Sequence, residues 1–130
     1  MASVFSKIVA GEIPCYKVAE DENYLAFLDI FTLVKGHVLV IPKKGVDYLF
    51  DLDHKTYTGL MEFVRKVAFA MGKVIPCKRI GVAVLGLEVP HAHVHLVPLN
   101  SERDIDFSKP KLHLTPEEFT EISKLIAANI

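Results

Sequence analysis

The stretch HAHVHLV, His91 to Val97, sets three imidazoles on alternate residues, separated by small or aliphatic ones. Residues two apart in a strand point the same way, so the three rings share one face while Ala92, Val94 and Leu96 enter the core. One face is reactive; the other is structural. Upstream, GHVLVIPKK from Gly36 to Lys44 holds a nearly continuous apolar strand over Val38 to Ile41, ended by Pro42. YLAFLDI, Tyr24 to Ile30, reads as another strand, with Leu25, Phe27 and Asp29 on one face. An acid at the end of an apolar face needs a reason, and capping a turn is the simplest one. Gly81 to Leu87 predicts a further strand with a turn at Gly86.

Helical signals lie between and after these strands. Asp53 is placed to cap a long helix whose apolar positions Tyr57, Leu60, Met61, Val64, Val67, Ala68 and Met71 keep helical spacing, with Pro76 as its limit. Phe63, Ala70 and Val74 form a second apolar row, which fits either a helix buried within one chain or one covered by its own sheet and a second subunit. Met1 to Val9 reads as a short helical start, punctuated by Gly11 and Pro14. Thr115, Pro116 and Glu118 supply a capping Thr, Pro at the first helical position and Glu at the third, and a stripe of Phe119, Ile122, Leu125 and Ile126 is expected to pack on the domain. Ser101 to His113 reads as a polar connection. Strands in hairpin-like succession with helices inserted between them predict an α+β fold with a largely antiparallel sheet.

At 130 residues, 51% hydrophobic and 24% charged, the chain has apolar surface for one core and none of the bias of a disordered segment. Fifteen Lys and Arg against sixteen Asp and Glu leave a net charge of -1, so no basic excess draws nucleic acid. A local pocket can still bind a small phosphorylated ligand. Cys15 and Cys77 are too few for a disulfide framework, and no stretch is apolar enough for a signal-peptide core or a membrane span. The expectation is a cytoplasmic chain without a membrane partner.

Two chemistries suit the histidine row. Imidazole is the commonest zinc ligand, and His91 with His93, or His93 with His95, could share an ion. His91 and His95 stand roughly 13 Å apart at about 3.3 Å per residue, too far for both to ligate one ion, so a third ligand such as His37 or Glu88 would be needed. The other chemistry is nucleophilic catalysis, in which one ring nitrogen attacks phosphorus while a neighbour holds the other nitrogen in the required tautomer. The middle ring, His93, has partners on both sides.

These residues resemble the histidine triad (HIT) nucleotide hydrolases and transferases, whose signature is three histidines alternating with hydrophobic residues. FSKIVAGEIP (Phe5 to Pro14), YLAFLDI, GHVLVIPKK and VPHAHVHLVP (Val89 to Pro98) look like family blocks in family order. The resemblance implies a HIT-like fold, one domain over 1–130 with core 5–98 and a C-terminal extension with a helix over 99–130. It also implies a homodimer and a covalent nucleotidyl-histidine intermediate, without a cofactor. His93 matches the nucleophile, and His95 the residue that binds the phosphate and assists the leaving group. His91 matches a supporting residue, and His37 one that helps orient the nucleophile. Asp29 matches the carboxylate that accepts both ribose hydroxyls, and Phe5, Ile8, Phe27 and Ile30 match the apolar walls around a purine base.

The chain also departs from the family pattern. Ser3-Val4-Phe5-Ser6 and Gly45 stand where many bacterial relatives hold a structural zinc, so no metal is expected there. The loop before the triad is short, lacks Asn and has Leu87 at the usual Gln, leaving Glu88 and Val89 to offer mainly backbone N–H groups to phosphate. The Glu88 carboxylate is expected to turn to solvent or toward Lys78 or Arg79, because inward it would repel phosphate. His95, where a transferase branch has Gln, favours hydrolysis, and chain length and GHVLVIPKK look most like the small Hint-like bacterial proteins with phosphoramidase chemistry. Dinucleoside polyphosphate hydrolysis, a nucleotide-binding sensor without catalysis and a metal-dependent hydrolase are the competing readings.

Overall fold

In the computed structural model, which describes residues 3–130, the chain forms α1 (Val4–Val9), β1 (Lys17–Glu20), β2 (Tyr24–Leu28), β3 (Val38–Pro42), α2 (His54–Val74), β4 (Arg79–Ala83), β5 (Val94–Leu99) and α3 (Pro116–Ala127). Short 3-10 turns lie at Leu49–Asp51 and Glu102–Ile105. The helical start expected from Met1 begins at Val4 among the described residues, capped by Ser3, whose hydroxyl accepts the Ser6 N–H. Met1 and Ala2 lie outside the described residues.

The strands form one sheet of order β1-β2-β3-β5-β4, antiparallel at every pairing. The fold is α+β, with the long central helix and the C-terminal helix expected from the spacing. Both faces of the sheet are covered, which is why β2 and β3 read as continuous apolar runs. Tyr24, Ala26, Val38, Val40, Val94 and Leu96 join α2 and α3 in the main core. Leu25, Phe27, Leu39 and Ile41 face the other way, under Phe5 of α1. Among the described residues no helix is long and apolar enough to cross a membrane.

Several boundaries differ from the sequence reading. β2 ends at Leu28, so Asp29 lies in the turn that follows: its carboxylate accepts the Phe31 N–H (2.9 Å) and its carbonyl the Thr32 hydroxyl (2.6 Å). β4 stops at Ala83, before the Gly86 turn, where φ is +71°. β5 begins only at Val94, because the ladder's polar groups are diverted just upstream. The His91 carbonyl accepts from the His93 ring, and the Ala92 N–H goes to the Val46 carbonyl. Gly36 turns the chain into β3 at φ +94°, where a Cβ would also press on Ile75.

The helices settle two further points. Asp53 caps α2 through the Thr56 N–H, and the second apolar row is covered from within the chain: Phe63 and Ala70 are buried and Val74 half-buried in the main core. That row therefore needs no second subunit. The outward aromatic of α2 is Phe69, 63% exposed. In α3 the capping box forms as expected, but Leu125 is 45% exposed. At about 100° per residue, Ile122, Ile126, Phe119 and Ser123 span one side and Leu125 falls beyond its edge. Ser123 is buried in its place, its hydroxyl bonded to the Thr120 carbonyl.

Candidate active site

Strand register builds the floor of a cavity of about 520 Å³. Phe27 pairs with Leu39, and Leu39 with His95, so these three side chains form one cross-strand row on the α1 face. Two strand spacings of about 4.8 Å put Phe27 and His95 roughly 10 Å apart, the scale of a nucleoside. Phe5 and Ile8 from α1, Phe27, Asp29 and Ile30 after β2, Glu88 and Val89 before the triad, and His93 and His95 all line this cavity. His37 and His91 do not; they are buried behind the lining.

The triad rings do share the α1 face, although two of them precede the strand. Phe5 meets His93 and His91 edge-on at 5.0 and 6.2 Å between ring centroids, and His93 meets His95 at 5.1 Å. Ala92, Val94 and Leu96 are buried on the opposite side. The alternation thus holds through Ala92 and His93, before the paired ladder begins.

Hydrogen bonds determine which nitrogen of each ring carries the proton. The His93 Nδ1 lies 2.7 Å from the His91 carbonyl, which only accepts, so Nδ1 is protonated and the Nε2 lone pair is free. The Leu33 N–H donates to His37 Nδ1 (3.1 Å), so His37 carries its proton on Nε2 and donates it to His95 Nδ1 (3.0 Å). His95 is thereby left with its proton on Nε2. His91 donates from Nε2 to the Pro42 carbonyl (2.7 Å), and its Nδ1 accepts from the Ser6 hydroxyl (3.3 Å), which is linked in turn to Ser3. His37 is thus the direct partner of His95; it reaches the middle ring only through that neighbour. An orienting effect of His37 on the nucleophile would therefore pass through His95.

Burial sets the charges. Desolvation holds His93 below the ordinary imidazole range, against the pull of the His91 carbonyl toward the charged form. His95 is pushed down to about 4 and His37 to about 3, again chiefly by burial, with repulsion from His93 on the former and from His95 and Lys111 on the latter. All three rings are neutral at pH 7, as the tautomers require. Burial raises the Asp29 carboxyl to about 6, opposed by the Phe31 N–H and the Lys111 charge. Its other oxygen lies 3.5 Å from His37 Nε2.

Glu88 is exposed at the cavity rim, and among the described residues it pairs with neither Lys78 nor Arg79. Its charge instead favours the protonated form of His93. One set of metal-type donors converges among the described residues: Asp29, His37 and His95, with ligand atoms within 4.8 Å of one another. This differs from a pair of neighbouring triad rings, because adjacent rings aim at different partners. An ion there would have to displace the proton shared by His37 and His95.

Among the lining residues outside the sequence reading, Phe31, Phe107 and Lys111 bear most on the chemistry. Phe31 follows Asp29 and is largely exposed at the cavity edge. Phe107 and Lys111 come from the segment read as a polar connection. The Phe107 ring meets His95 at 4.7 Å and His37 at 6.3 Å. A lone aromatic in the polar run SERDIDFSKPKLH is the signal that marks it.

Comparison with known proteins bears out the family resemblance. A family model described as HIT domain matches residues 10–102. An uncharacterized HIT-like protein of Borreliella burgdorferi is 36% identical over 135 residues, covering 98% of this chain and 97% of its own. The adenosine 5'-monophosphoramidase of Schizosaccharomyces pombe is 34% identical over 132 residues, covering 100% of this chain and 99% of its own. Among solved structures, a Hit-like protein from Bartonella henselae superposes with a TM-score of 0.85 at 32% identity, covering 98% of this chain and 96% of that one.

Proposed function

The chain belongs to the HIT domain family, and from that premise we propose that it is a purine nucleotide-binding hydrolase. It acts at the α-phosphate of nucleoside phosphoramidates or related nucleotide conjugates. The observation that carries this reading is the pair of opposite tautomers at the cavity wall: a free Nε2 lone pair on His93 beside an Nε2–H on His95. A nucleophile and a proton donor stand side by side, both neutral and both preset by buried partners. The monophosphoramidase activity named for the S. pombe relative suits that pair.

In the proposed sequence His93 Nε2 attacks the α-phosphorus. The phosphorus–nitrogen bond to the leaving group breaks as His95 gives its Nε2 proton to the departing amine. Water then donates a proton to His95 Nε2 while its oxygen attacks phosphorus, releasing the nucleoside monophosphate and restoring His93. Asp29 accepts the ribose hydroxyls, and Phe5, Ile8, Phe27 and Ile30 hold the base between apolar walls. The backbone N–H groups of Glu88 and Val89 make no protein hydrogen bond among the described residues, which fits them to phosphate oxygens.

We read residues 1–130 as one HIT domain, and as a homodimer. Support for the dimer comes from the free edge of β4, where Val82 is 52% exposed, and from the outward Phe69 of α2, which lines a groove with Ile80 of that strand. Incubation with adenosine 5'-phosphoramidate tests the catalytic reading. Wild type is expected to release AMP, and a His95→Ala variant to accumulate an acid-labile adenylyl adduct on His93. Ligand binding without any product would instead make the protein a nucleotide-binding module, and loss of activity in chelator would make it a metal enzyme.

A further inference from the structure

The cavity has a charge problem. Its two lining acids, Asp29 and Glu88, face a site proposed to hold a phosphate, while burial keeps the histidines neutral. Among the described residues that line it, Lys111 is the one Lys or Arg.

Lys111 is held in place by the segment around it. Asp106 accepts the Ser108 N–H and hydroxyl through its carboxylate and the Lys109 N–H through its carbonyl, which curls the chain after Phe107. Leu112 then donates its N–H to the Thr32 carbonyl (2.8 Å), pinning this segment to the turn that carries Asp29. The Lys111 ammonium donates to the Phe107 and Lys109 carbonyls at 2.6 and 3.0 Å. An ammonium has three donors, so one remains without a protein acceptor among the described residues. The chain has already ordered this side chain, so a ligand need not do so.

We propose that Lys111 is the specificity-determining cation of the site, donating its remaining N–H to the oxyanion of the bound nucleotide. This rests on the reading of the cavity as a nucleotide site. The short loop before the triad carries no cation and no Asn, and the segment after the sheet supplies the missing positive charge. A positioned ammonium is a common partner for a transferring phosphoryl group.

The test compares AMP with adenosine, which share the base and ribose but differ in the anion, by calorimetry on wild type, Lys111→Gln and Lys111→Arg. Loss of one charge-assisted bond is expected to weaken AMP binding to the Gln variant by about 10- to 100-fold. Adenosine binding should stay within about twofold, and Arg should restore most of the AMP affinity because it keeps the charge. Equal weakening of both ligands would overturn the proposal, because Lys111 would then only hold its own segment together. Unchanged AMP binding in the Gln variant would overturn it as well. If wild type binds neither compound, the nucleotide reading itself fails, and this assignment with it.

Discussion

Replacing Asp29 with Asn removes a charge and keeps the shape. In the folded chain one Asp29 oxygen already accepts the Phe31 N–H, and the carboxylate has lone pairs left for two hydroxyl donors. With its pKa near 6, the group is ionised by about ten to one at pH 7 and protonated by about ten to one at pH 5. Hydroxyl donors favour the charged form, so adenosine affinity should fall about tenfold between pH 7 and pH 5. A hydrogen bond to a charged acceptor contributes about 1.5–3 kcal/mol, so Asn should cost roughly 10- to 150-fold in adenosine affinity at pH 7. It should also flatten the pH profile. The same variant should discriminate poorly between adenosine and 2',3'-dideoxyadenosine, which lacks both donors.

Stability should move the other way. A carboxyl whose folded pKa is raised contributes stability below its unfolded value near 4, and loses that contribution as pH rises through 6. At pH 7 the ionised Asp29 is therefore a burden on the fold, and Asn should leave the thermal midpoint unchanged or higher. Calorimetric titrations at pH 5 and 7 with both nucleosides, alongside thermal melts, measure all of this. Undiminished ribose discrimination by the Asn variant would refute the assignment of Asp29.

Other perturbations test other links. Ser6→Ala leaves the buried His91 Nδ1 without its donor and should cost about 1–2 kcal/mol, read from the urea midpoint. Gly59→Ala sets two effects against each other. Alanine gains about 1 kcal/mol of helix propensity, but its Cβ would overlap the Tyr24 hydroxyl, which is fixed on the Thr56 carbonyl. Overpacking costs about 1–3 kcal/mol, so net destabilisation is expected, partly recovered by adding Tyr24→Phe. Acid should destabilise the protein. The depressed folded pKa values of His37 and His95 give stability that is complete above pH 6.5 and lost as pH falls toward 4 and 3. These two shifts outweigh the opposite trend of Asp29, and a His37→Gln variant should show a shallower decline in thermal midpoint over that range.

Much of the architecture was legible from local pattern. Asp53 and Thr115 cap the helices they were expected to cap, since capping depends on residues within one turn. The period-two alternation at His91–His95 put the three rings on one face even though the ladder begins only at Val94. Leu125 and the second row of α2 were less legible. Helical spacing tells which residues share a face; what covers that face depends on which element packs against it.

By itself the amino-acid order determined the element types, the antiparallel α+β character and the chemistry-bearing residues around the triad, since each depends on neighbours within a few positions. Only the tertiary structure decided the protonation of each ring. That depends on Pro42 and Leu33 meeting His91 and His37, and on His37 meeting His95 across 58 positions. It also decided that residues 107–111 return to the cavity, through a backbone bond between Leu112 and Thr32 that no local periodicity encodes. Main-chain donors and acceptors are the same at every residue, so which of them meet is settled only when the whole chain is packed.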